Sequence, residues 1–415
     1  MLLAALAAAL FIYRGPWLSL GDSGDLAVIY ASTRVWLAGE DPHNREVYHG
    51  TYARTTGHSL NDIDKNRVLS LYPPTVYPVM APIAVFDWRT AQIIFAAINV
   101  VLATAMIAVL PRMAGMGGTT ACCWLMLAWA IALAPLHSAI KLGQLSVIAT
   151  ACIILTIILA RRDKWFGAGV LLAVAAALKI TIALPFAAYF LVRGQRRTVV
   201  VTLLGLAVFG AIGAGRLEAA GVDWLGGLGR DLAVLTAPGG YGDPSVANHT
   251  RHQLMNLQYP LHNFIDNHAA VRAITYGFTG LAALMTIAAL HRQRQPDRDL
   301  LGLSMVGVLS MLVTYHRIYD MIILVLPLAW AFDRWRSGRR RLATVVMLIL
   351  ACFLLPITGI VKVLEKRGDL PASLVSGDIW RMLVLPHEVW ALLLLVFVMM
   401  YALIADRRTE LPATT

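Results

Sequence analysis

Long apolar runs separated by short arginine clusters dominate the chain from residue 91 onward. About 20 apolar residues cross a bilayer as a helix. That length picks out candidate spans at Leu2–Tyr13, Ala91–Leu110, Ala121–Ala134, Leu145–Ala160, Val199–Ala214, Ala273–Leu290, Leu300–Val313, Met321–Ala331, Ala343–Ile360 and Val389–Ile404. One stretch, Trp165–Val192, does not fit a single span, because Lys179 and Pro185 interrupt it. A single crossing there would also put Arg161, Arg162 and Lys164 on one side and Arg193, Arg196 and Arg197 on the other, against positive-inside sorting. Two short helices, Trp165–Leu178 and Thr181–Val192, remove the conflict and put Lys179 at the tip of a hairpin. Each arm is about 18–21 Å long at 1.5 Å per residue, so neither need reach the far surface. Pro185 then falls in the first turns of the returning arm, where proline is tolerated. The predicted fold class is an all-α, polytopic membrane protein with about 10 spans plus the hairpin, both termini inside.

Composition narrows the class. Of the 415 residues, 58% are apolar and 14% charged, against about 25% charged in a soluble domain. Mean hydropathy is +0.67. A long soluble chain, a disordered one and a disulfide scaffold are excluded. The net charge of +11 follows from arginine in the inside loops, so nucleic acid is not an expected partner. Cys122, Cys123, Cys152 and Cys352 all lie in apolar runs, as small core residues do.

The chain reads as one membrane domain over 1–415, with long outside loops at 14–90 and 216–272 and a shorter one at Val361–His387. Within the first, Asp25–Ala38 carries Leu26, Ile29, Tyr30, Thr33, Trp36 and Leu37 near helical spacing. It is expected to lie as a helix at the membrane interface, ended by Gly39 and Pro42. The hairpin occupies 165–192, and Pro238–Pro244 breaks the second loop.

Residues able to do chemistry gather on the outside. Asp22 and Asp25 follow the first run in Gly21-Asp-Ser-Gly-Asp25. Acids there cap a helix, and a carboxylate held where membrane meets water also suits a general base. Glu40 and Asp41 are a weaker pair of the same kind, and Asp62-Ile-Asp64 has the look of a metal signature that also arises by chance in a polar loop. Tyr72-Pro-Pro74 is a stiff approach to the membrane that shapes a cavity wall or simply turns the chain. Lys179, between Ala-Ala-Ala-Leu and Ile-Thr-Ile-Ala, costs about 2.5–3.5 kcal/mol in hydrocarbon. It either snorkels or faces a polar cavity holding a phosphate. Tyr315-His-Arg-Ile-Tyr-Asp320 sits between two spans with no room for a loop. Arg317 suits phosphate oxygens through its planar fork, His316 suits the same phosphate or a leaving group, and Asp320 closes the turn as a partner of arginine. Gly143-Gln144 adds a polar turn. His249, His252, His262 and His268 match no metal spacing and read as solvated.

In this order, Asp25 after the first run, Tyr72-Pro-Pro74, Gly143-Gln144, the Lys179 hairpin and His316-Arg-Ile-Tyr-Asp320 resemble the GT-C superfamily of membrane glycosyltransferases. The sequence resembles glycosyltransferase family 87 in particular, over roughly Asp22 to Pro327. The resemblance implies an inverting α-mannosyltransferase with a polyprenyl-phosphate sugar donor and an active site on the non-cytoplasmic face of the cell membrane. It implies Asp25 as the catalytic aspartate and Lys179, His316 and Arg317 as donor contacts. Asp22, Tyr72, Gln144 and Asp320 are expected to position substrate around the cavity. A glycolipid or glycan is the expected acceptor, membrane lipids are expected partners, and no metal or other cofactor is expected. One departure is the short first apolar run. A transporter or flippase for an anionic lipid is the alternative, and internal repeats would favour it; none is visible in the sequence.

Overall fold

A computed structural model describes residues 2–21, 23–57, 60, 68–117, 120–292 and 299–408. Asp22, Asp62 and Asp64 lie outside the described residues. The described residues form helices throughout. In chain order those of nine residues or more are α1 (Leu2–Ile12), α2 (Gly24–Leu37), α3 (Arg45–Thr56), α4 (Val76–Ala84), α5 (Trp88–Met113), α6 (Ala121–Ala132), α7 (Ala134–Leu142), α8 (Ser146–Arg161), α9 (Trp165–Leu178), α10 (Ile180–Val192), α11 (Arg196–Ala219), α12 (Trp224–Thr236), α13 (His268–Arg292), α14 (Asp299–Val313), α15 (Val325–Arg336), α16 (Arg340–Ala351), α17 (Ile357–Arg367) and α18 (His387–Arg408).

By length and composition, four of the described helices suffice to cross a membrane: Trp88–Met113, Arg196–Ala219, His268–His291 and His387–Ala405. A fifth candidate is α6 with α7, bent by 45° at their junction. The protein is thus a polytopic helical membrane protein. Several expected spans take another form, for identifiable reasons. The run Ala343–Ile360 splits at Pro356 into α16 and α17, since proline removes an N–H and clashes with the preceding turn. The run from Ala121 stops at Ala132, and Pro135 opens α7 in a new direction. The first run continues past Tyr13: a π-helical turn over Tyr13–Trp17 widens the helix around Pro16 and carries it to Ser19. α8, α9, α10 and α14 are apolar but short.

The helix α2 falls where the periodicity predicts, but it is not an open amphipathic helix. Nine of its residues, from Leu26 to Trp36, are buried, because α3 and α4 pack against it on different sides. Two of the apolar clusters among the described residues bear on the site. The larger one gathers α5 to α10, α14, the 318–324 turn, α15, α16 and α18. The smaller joins α2, α4 and the start of α5 to Leu145 and Leu178. The second core meets the first at Leu145 and Leu178, beside the Gly143-Gln144 turn and the tip of the hairpin.

Candidate functional site

A cavity of about 310 Å³ opens at that junction. Asp25, Tyr72, Gln144, Lys179, Arg317 and Asp320 all line it. They come from positions up to 295 residues apart in the numbering, and the packing of α2, α7, the hairpin tip and the 314–320 segment brings them together.

Asp25 lies in the first turn of α2, but it does not cap the helix. Ser23 is the N-cap residue, and its hydroxyl donates back to the Ser19 carbonyl at 2.5 Å. This frees the Asp25 carboxylate to accept from Gln144 Nε2. Gln144 reaches it because Gly143 ends α7 in the left-handed region, at φ +69°. A Cβ on Gly143 would lie 2.6 Å from Leu26 Cβ, so only glycine lets α2 approach this closely. Burial holds the Asp25 carboxyl above the usual carboxylate range. The Gln144 hydrogen bond and the charges of Arg317 and Lys179 offset part of that.

Lys179 is where the hairpin breaks. It ends α9 and precedes α10 with φ −145°, ψ 77°. The two arms have nearly the expected boundaries. Its Nζ donates to Asp320 Oδ1 at 3.1 Å and lies 5.3 Å from the centre of the Tyr319 ring. Asp320 is thus its counterion and uses one of the ammonium's three donors, while Lys179 still lines the cavity. Ser146 Oγ also donates to Asp320 Oδ1, and His316 Nδ1 meets Oδ2 at 3.1 Å. Burial alone would raise this carboxyl, but Lys179, His316 and Ser146 outweigh it and hold it well below the usual range. His316 is 1% exposed, and Thr314 Oγ1 lies 3.1 Å from its Nε2. It is not among the residues of the cavity wall and meets the cavity through its contact with Asp320.

Arg317 differs from Lys179. Its Nε donates to the Tyr315 hydroxyl at 2.6 Å and its Nη1 to Gln253 Oε1 at 2.8 Å, and the guanidinium lies 3.7 Å from the centre of the Tyr241 ring. Burial pushes the Tyr315 phenol up to about 12, so its oxygen stays protonated. Arg317 is 8% exposed, its Nη2 has no hydrogen-bond partner, and it makes no ion pair with a carboxylate among the described residues. A desolvated cation held only by neutral groups has no compensating charge in direct contact.

The walls are fixed by ties across the chain. Thr75 Oγ1 donates to the Ala177 carbonyl at 3.1 Å, binding the Tyr72-Pro-Pro74 approach to the hairpin. The Leu254–Arg317 bridge and the Met255 N–H to His316 carbonyl bond, 2.9 Å, lay the second loop across the 314–320 segment. A buried His43–Asp231 pair, 2.8 Å, holds α12 over the end of α2, and α12 lends Leu232 and Leu235 to the cavity. Ser146, Gln253, Tyr241 and Tyr315 were not singled out as site residues in the sequence. Tyr241 is the aromatic residue of the Pro238–Pro244 break; nothing in the sequence marked Ser146. Glu40, Asp41 and the loop histidines do not line the cavity. Among the described residues no group of three or more His, Cys, Asp or Glu could hold a metal ion.

The model of glycosyltransferase family 87 matches residues 71–315. That range includes Tyr72, Gln144 and Lys179 and stops short of Asp25, His316, Arg317 and Asp320, so it is narrower than the resemblance read from Asp22 to Pro327. No curated protein and no solved structure matches the chain. The family match nevertheless covers more than half of the 415 residues and runs through the cavity's central elements, and the chain belongs to glycosyltransferase family 87.

Proposed function

We propose that the cavity transfers a sugar from a polyprenyl-phosphate donor, with inversion, to a hydroxyl of a glycolipid or glycan on the non-cytoplasmic face of the cell membrane. Mannose is the sugar the family resemblance implies. The observation that carries the reading is Arg317: buried, bonded only to neutral groups and open to a cavity that also holds a carboxylate of raised basicity.

In the proposed reaction the acceptor oxygen attacks the anomeric carbon, and the bond from that carbon to the phosphate oxygen breaks. The electron pair leaves with the polyprenyl phosphate, whose charge grows by one. Arg317 meets that charge, with Lys179 beside it; stabilisation of developing charge is commonly the largest contribution to such catalysis. Asp25 takes the acceptor proton, a task suited to a carboxylate held above its ordinary range. Asp320 keeps Lys179 and the His316 ring in place and does not itself exchange a proton. An apolar crevice of about 260 Å³ between α10, α13 and α14 supports a lipid-linked donor. Pro185 lines it four residues beyond Thr181, and Val313 lines it next to Thr314, while Thr181 and Thr314 line the cavity. The crevice thus starts where the cavity ends, as a phosphate with an attached chain requires.

The test is transfer by the purified protein in detergent, without any ion gradient, from polyprenyl-phosphate mannose to a lipid hydroxyl acceptor. Product with inverted anomeric configuration supports the reading. Absence of product with every donor sugar, together with movement of the lipid across vesicle membranes, would establish a flippase instead. Arg317→Ala should raise the donor KM at least about tenfold through loss of charge-assisted hydrogen bonds; an unchanged KM rejects Arg317 as the phosphate contact.

A further inference from the structure

A second cavity, of about 620 Å³, lies at the far end of α15 from the 318–324 turn. The twelve residues of α15 separate the two ends by about 18 Å. Arg334, Arg339, Arg340 and Arg341 line this cavity, and among the described residues no acidic one does. We propose that it binds the phosphate head group of an anionic phospholipid, independently of the transfer reaction.

Three observations support this. The first is electrostatic. Helix α16 begins in the cavity, at Arg340, after Gly338 turns the chain at φ +85°. No side chain caps α16 and its first turn contains no acid. Helix N-termini carry partial positive charge and favour acids. Here Arg340 and Arg341 open the helix and repel that charge and each other, and a bound anion relieves both. The exposed N–H groups of a helix start are themselves anion ligands.

The second is Trp330, which forms part of the cavity wall. It is 2% exposed, and its indole Nε1 has no hydrogen-bond partner among the described residues. A buried donor without an acceptor is costly, and Trp330 is one wall of the cavity.

The third is what adjoins the cavity. Val345 and Leu348 follow Arg341 at four- and seven-residue spacing on α16, and both are exposed. On α18, which packs against α16, Tyr401, Phe397 and Leu394 form a second exposed apolar stripe. Tyr401 and Val345 belong to the cavity itself. A cationic head site continuous with two apolar stripes matches a phospholipid, with its phosphate among the arginines and its acyl chains along α16 and α18. A soluble phosphate would use the first part alone.

The experiment uses full-length protein, delipidated in neutral detergent, and native mass spectrometry with added phosphatidylglycerol, phosphatidylcholine of the same chains, or inorganic phosphate. Phosphatidylglycerol should bind at least about tenfold more tightly than phosphatidylcholine. Arg340→Gln with Arg341→Gln should weaken it about 30-fold, from about 1 kcal/mol per basic residue near an anionic lipid. The control pair Arg162→Gln with Arg336→Gln removes the same charge outside the cavity and should change binding less than about threefold. Sugar transfer by the Arg340/Arg341 variant in detergent should match the parent protein. Equal weakening by the control pair means that total charge, not this cavity, attracts lipid, and overturns the proposal. So does phosphatidylglycerol affinity that the Arg340/Arg341 variant leaves intact. Tight binding of inorganic phosphate that excludes the lipid makes the ligand a soluble anion and overturns it as well.

Discussion

Two carboxylates line one cavity and live in opposite surroundings. At the α2 end, Asp25 has one neutral partner, Gln144, and burial lifts its carboxyl above the ordinary range. At the turn end, Asp320 is fully enclosed by Lys179, His316 and Ser146, and they hold it far below that range. The contrast separates two jobs that acids do in buried places. A carboxylate with several cationic or donor partners is a strut: it stays ionised and fixes the groups around it. A carboxylate with few partners is strained toward protonation, and that is what a proton acceptor needs.

The sharpest way to break this contrast is Asp25→Asn. Transfer should fall about 10³-fold, within the range for removing a general base, while donor binding by equilibrium titration persists. Stability should move the other way. Because the folded protein raises this carboxyl, ionisation of Asp25 costs stability as pH rises through its folded value. The variant should therefore unfold at a higher temperature than the parent protein at pH 8, with the gap closing in acid. A variant that is both active and no more stable removes Asp25 from the role of base.

Asp320→Asn comes next. Its folded value is lowered, so its contribution is present above the ordinary carboxylate range and is lost as pH falls through the folded value. At neutral pH the substitution should cost about 3–5 kcal/mol, the scale for stranding a buried partner. Denaturation monitored in detergent measures this, and a cost under about 1 kcal/mol would show that Lys179 finds water instead.

Gly143→Ala should cost about 1–3 kcal/mol, from the left-handed backbone and the contact with Leu26. It should also reduce transfer, since α2 must shift and take Asp25 with it. Wild-type activity in this variant would show that the α2 approach is not critical. The smallest effect is expected for Gln144→Leu. Losing the hydrogen bond that favours the ionised form raises Asp25 further, so the acid limb of the pH–rate profile should move to higher pH. At pH 7 the loss should be no more than about tenfold. A profile that stays put while activity falls would mean that Gln144 touches substrate instead.

Much of this cavity could be read before any coordinates. The break at Lys179 followed from the length of the run, its interruption by Lys179 and Pro185, and the sorting of flanking arginines. Tyr72, Gln144, Arg317 and Asp320 stood out as polar or rigid residues where apolar ones were due. What pairs with what was not legible. That Lys179 also pairs with Asp320, 141 residues away, was not foreseen. His316 was read as a donor contact and stands behind the wall. Periodicity placed α2 correctly but not its burial, since the pattern of one helix does not say how many neighbours cover it. Nor did hydropathy foresee the break before Pro356: a window average does not register a missing N–H.

The ion pair across those 141 residues also bears on how the protein is made. At about 5–20 residues per second, synthesis delivers Asp320 roughly 7–28 s after Lys179. Through that interval the lysine has no counterion. Arms of 14 and 13 residues are each shorter than the roughly 20 that a full crossing takes, which fits a chain whose lysine is made well before its acid.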